Sequence, residues 1–313
     1  MIEKLPLLAW PRRPTLTTLI FHRVLPAADP LRPGEPDPAR FERLMSFVAR
    51  NFAVLPLPEA VDRLARGALP RRACCITFDD GYADNLTLAL PILEKYRLPA
   101  TVFVAAGYLD GGRMFNDVVI DAIAQARRDV LDLRELDLGV HPIGTVAEKL
   151  AAIAFLLGRI KFGAPALRAA QARAIAAAAA CGPLADDLML TTAQLKELAG
   201  RGVEIGGHTV SHAILASLDD AEAFDEIVRG KQRLEAIAGR PVTSFAYPNG
   251  KPGRDYAARH VPMAQAAGFA RAVSTAHGVG TGGCDIFQLP RFTPWGRSPL
   301  AWAARLQRNA RGA

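Results

Sequence analysis

Three things are scarce in this chain, and each scarcity excludes something. Aromatic residues make up 7% of the 313 positions, too few for the stacking platforms that bind single-stranded nucleic acid. Cysteine occurs four times, as the adjacent Cys74 and Cys75 and the isolated Cys181 and Cys284. That is neither a disulfide framework nor a zinc-knuckle spacing, so free thiols in a reducing, cytoplasmic compartment are expected. Long apolar runs are missing too: no stretch reaches the roughly 18 residues of a membrane span. The apolar patch ending at Trp10 is broken by Pro6 and lacks a signal-peptide core and cleavage site, although a start codon further upstream could add one.

What is present indicates a packed, globular chain. Half the residues are hydrophobic and 22% are charged, which supports a sizeable core and excludes wholesale disorder. The net charge of +7 comes from 38 basic and 31 acidic residues, but only seven of the basic ones are Lys. An Arg-rich, Ala-rich composition reflects GC-rich coding as readily as a polyanion partner. No nucleic-acid partner is expected, and anionic lipid or glycan stays open.

Apolar strand-like runs alternate with helical patterns. Strands are expected at Leu16–His22, Phe52–Leu57, Cys74–Phe78, Ala100–Ala106, Val203–Gly207, Ser244–Tyr247, Arg271–Thr275 and Phe287–Phe292. Helices are expected at Pro38–Asn51, Leu57–Gly67, Asn85–Tyr96, Phe115–Arg128 and Asp219–Ala238, the last with Asp219 as N-cap and Gly239 as stop. This βα alternation predicts a parallel sheet with helical crossovers in a single domain. Residues 129–190 break the rhythm and read as a helical insertion that includes the run Ala176–Ala180.

Two clusters carry chemistry. Asp79 and Asp80 end a buried strand ahead of Gly81, and a turn there brings both carboxylates to the strand's carboxyl end, where parallel α/β folds place their sites. Such a pair repels itself unless a cation or proton intervenes. His208 and His212 follow another strand, four residues apart, which on one helical turn puts both rings on one side. One carboxylate and two imidazoles form a three-ligand metal set with positions left open for chemistry. The second carboxylate is then free to act as a general base.

These residues resemble a known family. Thr77-Phe78-Asp79-Asp80-Gly81-Tyr82 and His208-Thr209-Val210-Ser211-His212 look like the first two motifs of the polysaccharide deacetylases, also called the NodB-homology or carbohydrate esterase family 4 domain. Phe245-Ala246-Tyr247-Pro248-Asn249-Gly250 resembles the Tyr-Pro form of the third. Phe21-His22-Arg23-Val24 resembles the exopolysaccharide-associated subgroup. The resemblance implies an α/β fold, a distorted, incomplete (β/α) barrel, with the helical insertion inside it. It implies a hydrolase that removes N-acetyl groups from a bacterial saccharide, with O-acetyl groups as second choice.

Carried over residue by residue, Asp79 is the expected base, and Asp80, His208 and His212 the expected ligands of a divalent ion, by preference zinc. The Tyr82 backbone N–H is expected at the oxyanion, and Tyr247 and Pro248 at the substrate. The family's Arg in the third motif is absent, its positions being Phe245 and Ala246, so Arg291 is the expected substitute that orients the base. The late Leu-x-His motif is absent as well, which leaves His22, or else His277 in a Gly-rich loop, as the general acid. Asn116 and Asp117 could line a sugar groove or merely open a helix. The amphipathic segment Pro299–Arg311 either docks on the barrel or touches an anionic membrane, and the saccharide itself could be lipid-linked. Two rivals stay open: a metal-dependent C–N hydrolase acting on a small non-sugar amide, and a non-catalytic glycan-binding protein.

Overall fold

The computed structural model describes Trp10 and residues 13–294, 296 and 298–311, and the apolar patch before Trp10 lies outside them. β1 (Leu16–Phe21) is buried at all six residues, as a strand covered on both faces must be. α1 (Pro38–Asn51) follows, opened by the Asp37 side chain accepting from the Arg40 N–H and by Pro38 in the first turn. Next come β2 (Ala53–Val54), α2 (Leu57–Ala65) and β3 (Ala73–Phe78). A π-helical turn at Asn85–Ala89 leads into α3 (Leu90–Lys95), so the helix expected from Asn85 is α-helical only in its second half. β4 (Thr101–Val104) and α4 (Phe115–Ala124) complete the first half.

Residues 129–190, expected to be mostly helical, do not open with a helix. They begin with an antiparallel hairpin, β5 (Val130–Leu133) and β6 (Gly139–Pro142), before α5 (Val146–Ile160) and α6 (Pro165–Ala178). Leu131 and Leu133 turn inward while Val130 and Asp132 face out, a period-two pattern that four residues make easy to miss. Together with α4 this segment builds its own cluster around Val119, Ile123, Leu131, Leu156 and Ile175.

The second half runs α7 (Thr192–Gly200), β7 (Glu204–Gly207), α8 (Asp220–Ala238), β8 (Ser244–Ala246), α9 (His260–Ala266), β9 (Arg271–Val273) and α10 (Pro299–Arg311). α8 carries a reciprocal Asp219–Glu222 capping box and stops at Gly239, whose φ of 65° is left-handed.

The main sheet is parallel throughout, in the order β1-β3-β4-β7-β8-β9, with β2 beside the start of β3. It curls until the segment 286–292 bridges its two edges. Leu289 exchanges backbone bonds with β9, and Phe292 with β1. The continuous strand expected at Phe287–Phe292 does not form. Pro290 has no N–H to give, and the Arg291 N–H goes to Ala276 O instead. The result is the distorted, incomplete barrel. Inside it sit Leu16, Cys75, Phe103, Ala246, Val273 and Leu289, against Leu57, Val61 and Leu64 of α2. Phe103 fills this space so fully that a Cβ on Gly206 would lie 2.3 Å from its ring, so β7 must carry glycine there.

All four cysteines are free thiols. α10 buries Trp302, Ala303, Leu306 and Ala310 and packs on α1, with the Trp302 ring 6.0 Å from that of Phe47. Most of its apolar stripe is therefore already covered by protein, and Leu300 stays exposed. Among the described residues, no helix is long and apolar enough to cross a membrane.

Candidate active site

β3 delivers Asp79 and Asp80 at its carboxyl end. The Asp79 N–H still bonds to Phe21 O, at 2.9 Å, as the last rung of the ladder. Asp80 then turns left-handed with φ 78°, and Gly81 follows with φ 88°. An aspartate tolerates that region better than most side chains, and the reversal lets both carboxylates face one cleft.

β7, one strand beyond β4, delivers the two histidines, although not on a helix. Residues 208–212 form a loop in which Thr209 and His212 have φ of 63° and 51°. The expectation of a helical turn is corrected: the i,i+4 pair meets through two left-handed residues. The loop is tied on every side. Thr209 O and Val210 O accept from the Ala106 and Gly107 N–H groups. The Glu226 carboxylate on α8 accepts from the Val210 and Ser211 N–H groups and the Ser211 hydroxyl at 2.8–2.9 Å. Arg168 of α6 donates to Ser211 O and His212 O, both at 3.3 Å.

The ligand atoms converge. His208 Nε2 and His212 Nε2 lie 3.4 and 3.3 Å from Asp80 Oδ1, and the three groups fall within 4.8 Å of one another. His208 Nδ1 lies 2.7 Å from Ala246 O, which fixes the proton on Nδ1 and turns the Nε2 lone pair inward. Burial pushes His212 down to about 3, with His208 and Arg168 adding to the effect against the pull of Asp80. At neutral pH the ring therefore presents a second lone pair. Asp80 Oδ1 is buried and has no hydrogen-bond partner. Lone pairs so gathered repel, and a buried acceptor left unpaired is costly; a divalent cation satisfies all of them at once. The donor set therefore fits a metal ion.

Asp79 stands beside this set and outside it, its Oδ2 4.0 Å from His208 Nε2. Arg291 grips it through two parallel bonds, Nη1–Oδ1 at 2.6 Å and Nη2–Oδ2 at 2.7 Å. Arg291 is itself fully buried and fixed by Ser274 O and Thr77 Oγ1. Burial alone would raise the Asp79 carboxyl, but Arg291 and His208 outweigh it and hold the group below the usual carboxylate range.

The sequence profile of the polysaccharide deacetylases matches residues 66–135 and 146–272, well over half of the chain. The chain belongs to the polysaccharide deacetylase family. The match runs through α5 and α6 and leaves out 136–145, the turn and return strand of the hairpin. A curated relative, the Bacillus subtilis (strain 168) protein YxkH, is named for the same family. It is 22% identical over 253 residues, 80% of this chain, and the chain spans 62% of its length. Among solved structures the fold is similar to the Streptococcus pyogenes deacetylase PplD in complex with acetate. The TM-score is 0.61 at 18% identity, over 95% of this chain and 99% of that one. It is also similar to IcaB from Ammonifex degensii, with TM-score 0.60 at 20% identity over 94% and 97%.

In this polysaccharide deacetylase family member the four motif side chains floor a cleft of about 430 Å³. His22 and His277 both line it, as do Asn116, Asn249 and Arg291. His22 is half-buried; burial would lower its pKa, but Asp80, Glu35 and Asp79 outweigh that and raise it. His277 is exposed at the mouth. Leu157, Gly158 and Lys161, from the end of α5, form one wall. An adjoining groove shares His22, Asp80 and Asn116 and adds Tyr82 and Asp117. There the Tyr82 hydroxyl donates to Asp117 Oδ2 at 2.9 Å under the Arg23 guanidinium. Burial lifts Asp117 to about 6 against Arg23, the Tyr82 bond and Arg32. Asn116 does not cap α4, because Met114 holds that position.

Tyr247 and Pro248 are not in the cleft. Both are buried, and the Tyr247 ring stacks on Tyr256 at 3.8 Å and 7°. The chain beyond β8 keeps Tyr247 in the core, and the neighbouring Asn249, left-handed at φ 57°, is the one that reaches the cleft. Arg168, Glu226 and Asn249 escaped the sequence reading. Asn249 stood inside the quoted third motif, whereas nothing local marks the other two.

The metal loop rests on α8 at Gly230, where a Cβ would lie 2.8 Å from the Thr209 carbonyl carbon. Alanine there improves helix propensity by about 1 kcal/mol but pushes backbone between the two histidines. Gly230→Ala is expected to weaken divalent-metal affinity about 10- to 100-fold in a chelator competition, the usual scale for disturbing what holds a ligand in place. Unchanged affinity would show that the loop yields freely.

Proposed function

We propose that the protein is a divalent-metal-dependent deacetylase that removes N-acetyl groups, with O-acetyl as second choice, from a bacterial saccharide. One observation carries the reading. A convergent Asp80–His208–His212 donor set shares its cleft with a second carboxylate, Asp79, held ionised and in fixed orientation by Arg291. The names of the relatives support the same substrate class.

Asp80, His208 and His212 would hold the ion, which when bound supplies Lewis-acid polarisation of the acetyl carbonyl. Asp79, ionised at neutral pH, takes a proton from the attacking water. The two Arg291 bonds fix the carboxylate plane, so little reorganisation is needed at that moment. The Tyr82 N–H, two residues after Asp80, would donate to the developing oxyanion, while its hydroxyl is engaged by Asp117. His22, flanked by carboxylates that favour its protonated form, donates to the leaving nitrogen. Water and amide thus become acetate and amine.

Acetate release from a panel of acetylated saccharides and simple amides, with and without chelator, tests the reading. Release from saccharides that stops with chelator supports it. Release from small amides alone transfers the assignment to a non-sugar C–N hydrolase, and no release from any member overturns it.

The proton donor has its own test. His22→Ala is expected to keep its metal, lose about 10²-fold in turnover and lose the alkaline limb of the pH–rate profile, because the missing acid no longer titrates. His277→Ala should change little. The reverse pattern would assign the role to His277.

A further inference from the structure

α5 is apolar on both sides. Its inward face buries Ala152, Ile153, Leu156 and Ile160. Its outward positions 151, 154, 155, 158 and 162, spaced i, i+3, i+4, i+7 and i+11, carry Ala151, Ala154, Phe155, Gly158 and Phe162, all exposed. Lys161 keeps helical φ and ψ, so Phe162 prolongs the stripe. A helix apolar all round is normally buried all round. Eight large hydrophobics are exposed among the described residues, and six of them lie between Val130 and Leu167. Phe155 is 47% exposed, Phe162 41% and Leu167 54%, so the end of α5 and the start of α6 present one apolar tip.

Charges within this segment have a single sign, and Asp255, beside Lys161 and Arg254, is buried. Residues 149–185 contain five basic side chains and no Asp or Glu. Arg159 and Arg173 are exposed, while Lys161 and Arg254 stand over the Phe162 ring at 5.5 and 5.3 Å. Aromatic and aliphatic side chains ringed by long cations are what an interfacial segment needs. The rings enter the headgroup boundary, and the cations meet lipid phosphates. A second copy of this chain fits poorly, because a two-fold contact of this segment with itself brings basic side chains to basic side chains, with no carboxylate in the segment to answer them.

We propose that the α5–α6 tip docks this protein on an anionic lipid bilayer. The consequence for substrate rests on the deacetylase reading. Gly158 belongs to both the stripe and the cleft wall, beside Leu157 and Lys161, so a glycan anchored in that bilayer enters the cleft from its lipid side. The sequence had offered α10 for this role, but its Trp302, Ala303, Leu306 and Ala310 are buried, and Leu300 alone of its large apolar side chains is exposed.

Sedimentation of the full chain with phosphatidylcholine vesicles, with or without about 30% phosphatidylglycerol, tests the surface without relying on activity. The wild type is expected to bind the anionic vesicles, and binding should weaken as salt rises. Phe155→Ser/Phe162→Ser should bind about tenfold less or worse, the factor equivalent to about 1.4 kcal/mol of lost contact. Its turnover of a soluble acetylated saccharide should stay unchanged, since neither ring lines the cleft. Should that variant fail to fold, Arg159→Glu serves, and should lose binding to anionic vesicles.

Equal binding to neutral and anionic vesicles, or binding indifferent to these changes, overturns the proposal. So does a wild-type dimer that the Phe variant converts to monomer, which would show that a second copy covers the tip. Vesicle binding without acetate release from any saccharide supports the surface while overturning the deacetylase reading.

Discussion

His212→Ala is expected to lose divalent-metal binding and deacetylase activity together, with added zinc taken up at one ion per chain by the wild type and at none by the variant. The expectation follows from how the three donors are held. His208 Nε2 and His212 Nε2 both face Asp80 Oδ1 at 3.3–3.4 Å, and that oxygen has no other partner. With one imidazole gone, the remaining pair is a weak two-point site, and structural and catalytic zinc sites use at least three protein ligands. Turnover should drop by about 10³-fold or more, since carbonyl polarisation and electrostatic stabilisation disappear at once. Asp80→Asn should weaken the metal in the same sense, because a neutral amide is a poorer ligand than a carboxylate. With zinc restored, Asp80, His208 and His212 are expected at about 2.0–2.2 Å from the ion in a crystal structure. His212→Ala that retains stoichiometric zinc would end the three-ligand assignment, and a chelator-treated wild type with full activity would end the metal reading altogether.

The site was legible in the sequence where chemistry is encoded by neighbours. Asp79, Asp80, His208 and His212 could be read because each pair lies within five residues at the end of a βα strand, and the sheet places β3, β4 and β7 side by side. Pairing across that sheet is what brings residues 129 apart into contact, and the order of strands supplied it. The helix of the His pair was misread because spacing alone cannot distinguish one helical turn from a loop with two left-handed residues. Helix α8 could be bounded by Asp219 and Gly239, since caps are local. The hairpin β5–β6 was missed because four-residue strands hold barely two periods.

Tyr247 shows a different limit. The third motif identified the right segment, but whether Tyr247 or Asn249 faces the cleft depends on how the chain leaves β8, which no composition records. Arg168 and Glu226 lie 44 and 16 residues from the atoms they hold, and their value appears only when α6 and α8 pack over the loop.

Asp79→Asn should keep its zinc and lose about 10²–10⁴-fold in turnover, because an amide cannot accept the water's proton. Loss of zinc from this variant but not from Asp80→Asn would reverse the two roles. Arg291→Met separates the base from its support and gives a sharper result. In the wild type Asp79 is held below its ordinary pKa, so its ion pair stabilises the fold above about pH 4 and is lost as pH falls through the lowered value. Without Arg291, burial governs the carboxyl, and its pKa rises above the ordinary range. The acidic limb of the pH–rate profile should therefore move to higher pH, since the base must be deprotonated to act. The stability profile should change sign in step. A carboxyl that binds protons more tightly when folded makes the variant less stable as pH rises through its unfolded pKa, the opposite of the wild type. At neutral pH the unpaired buried carboxylate should cost about 3–5 kcal/mol, visible as a lower melting temperature that recovers in part at pH 5. An Arg291→Met variant whose acidic limb and pH–stability slope both match the wild type would show that Asp79 takes neither its charge state nor its orientation from Arg291.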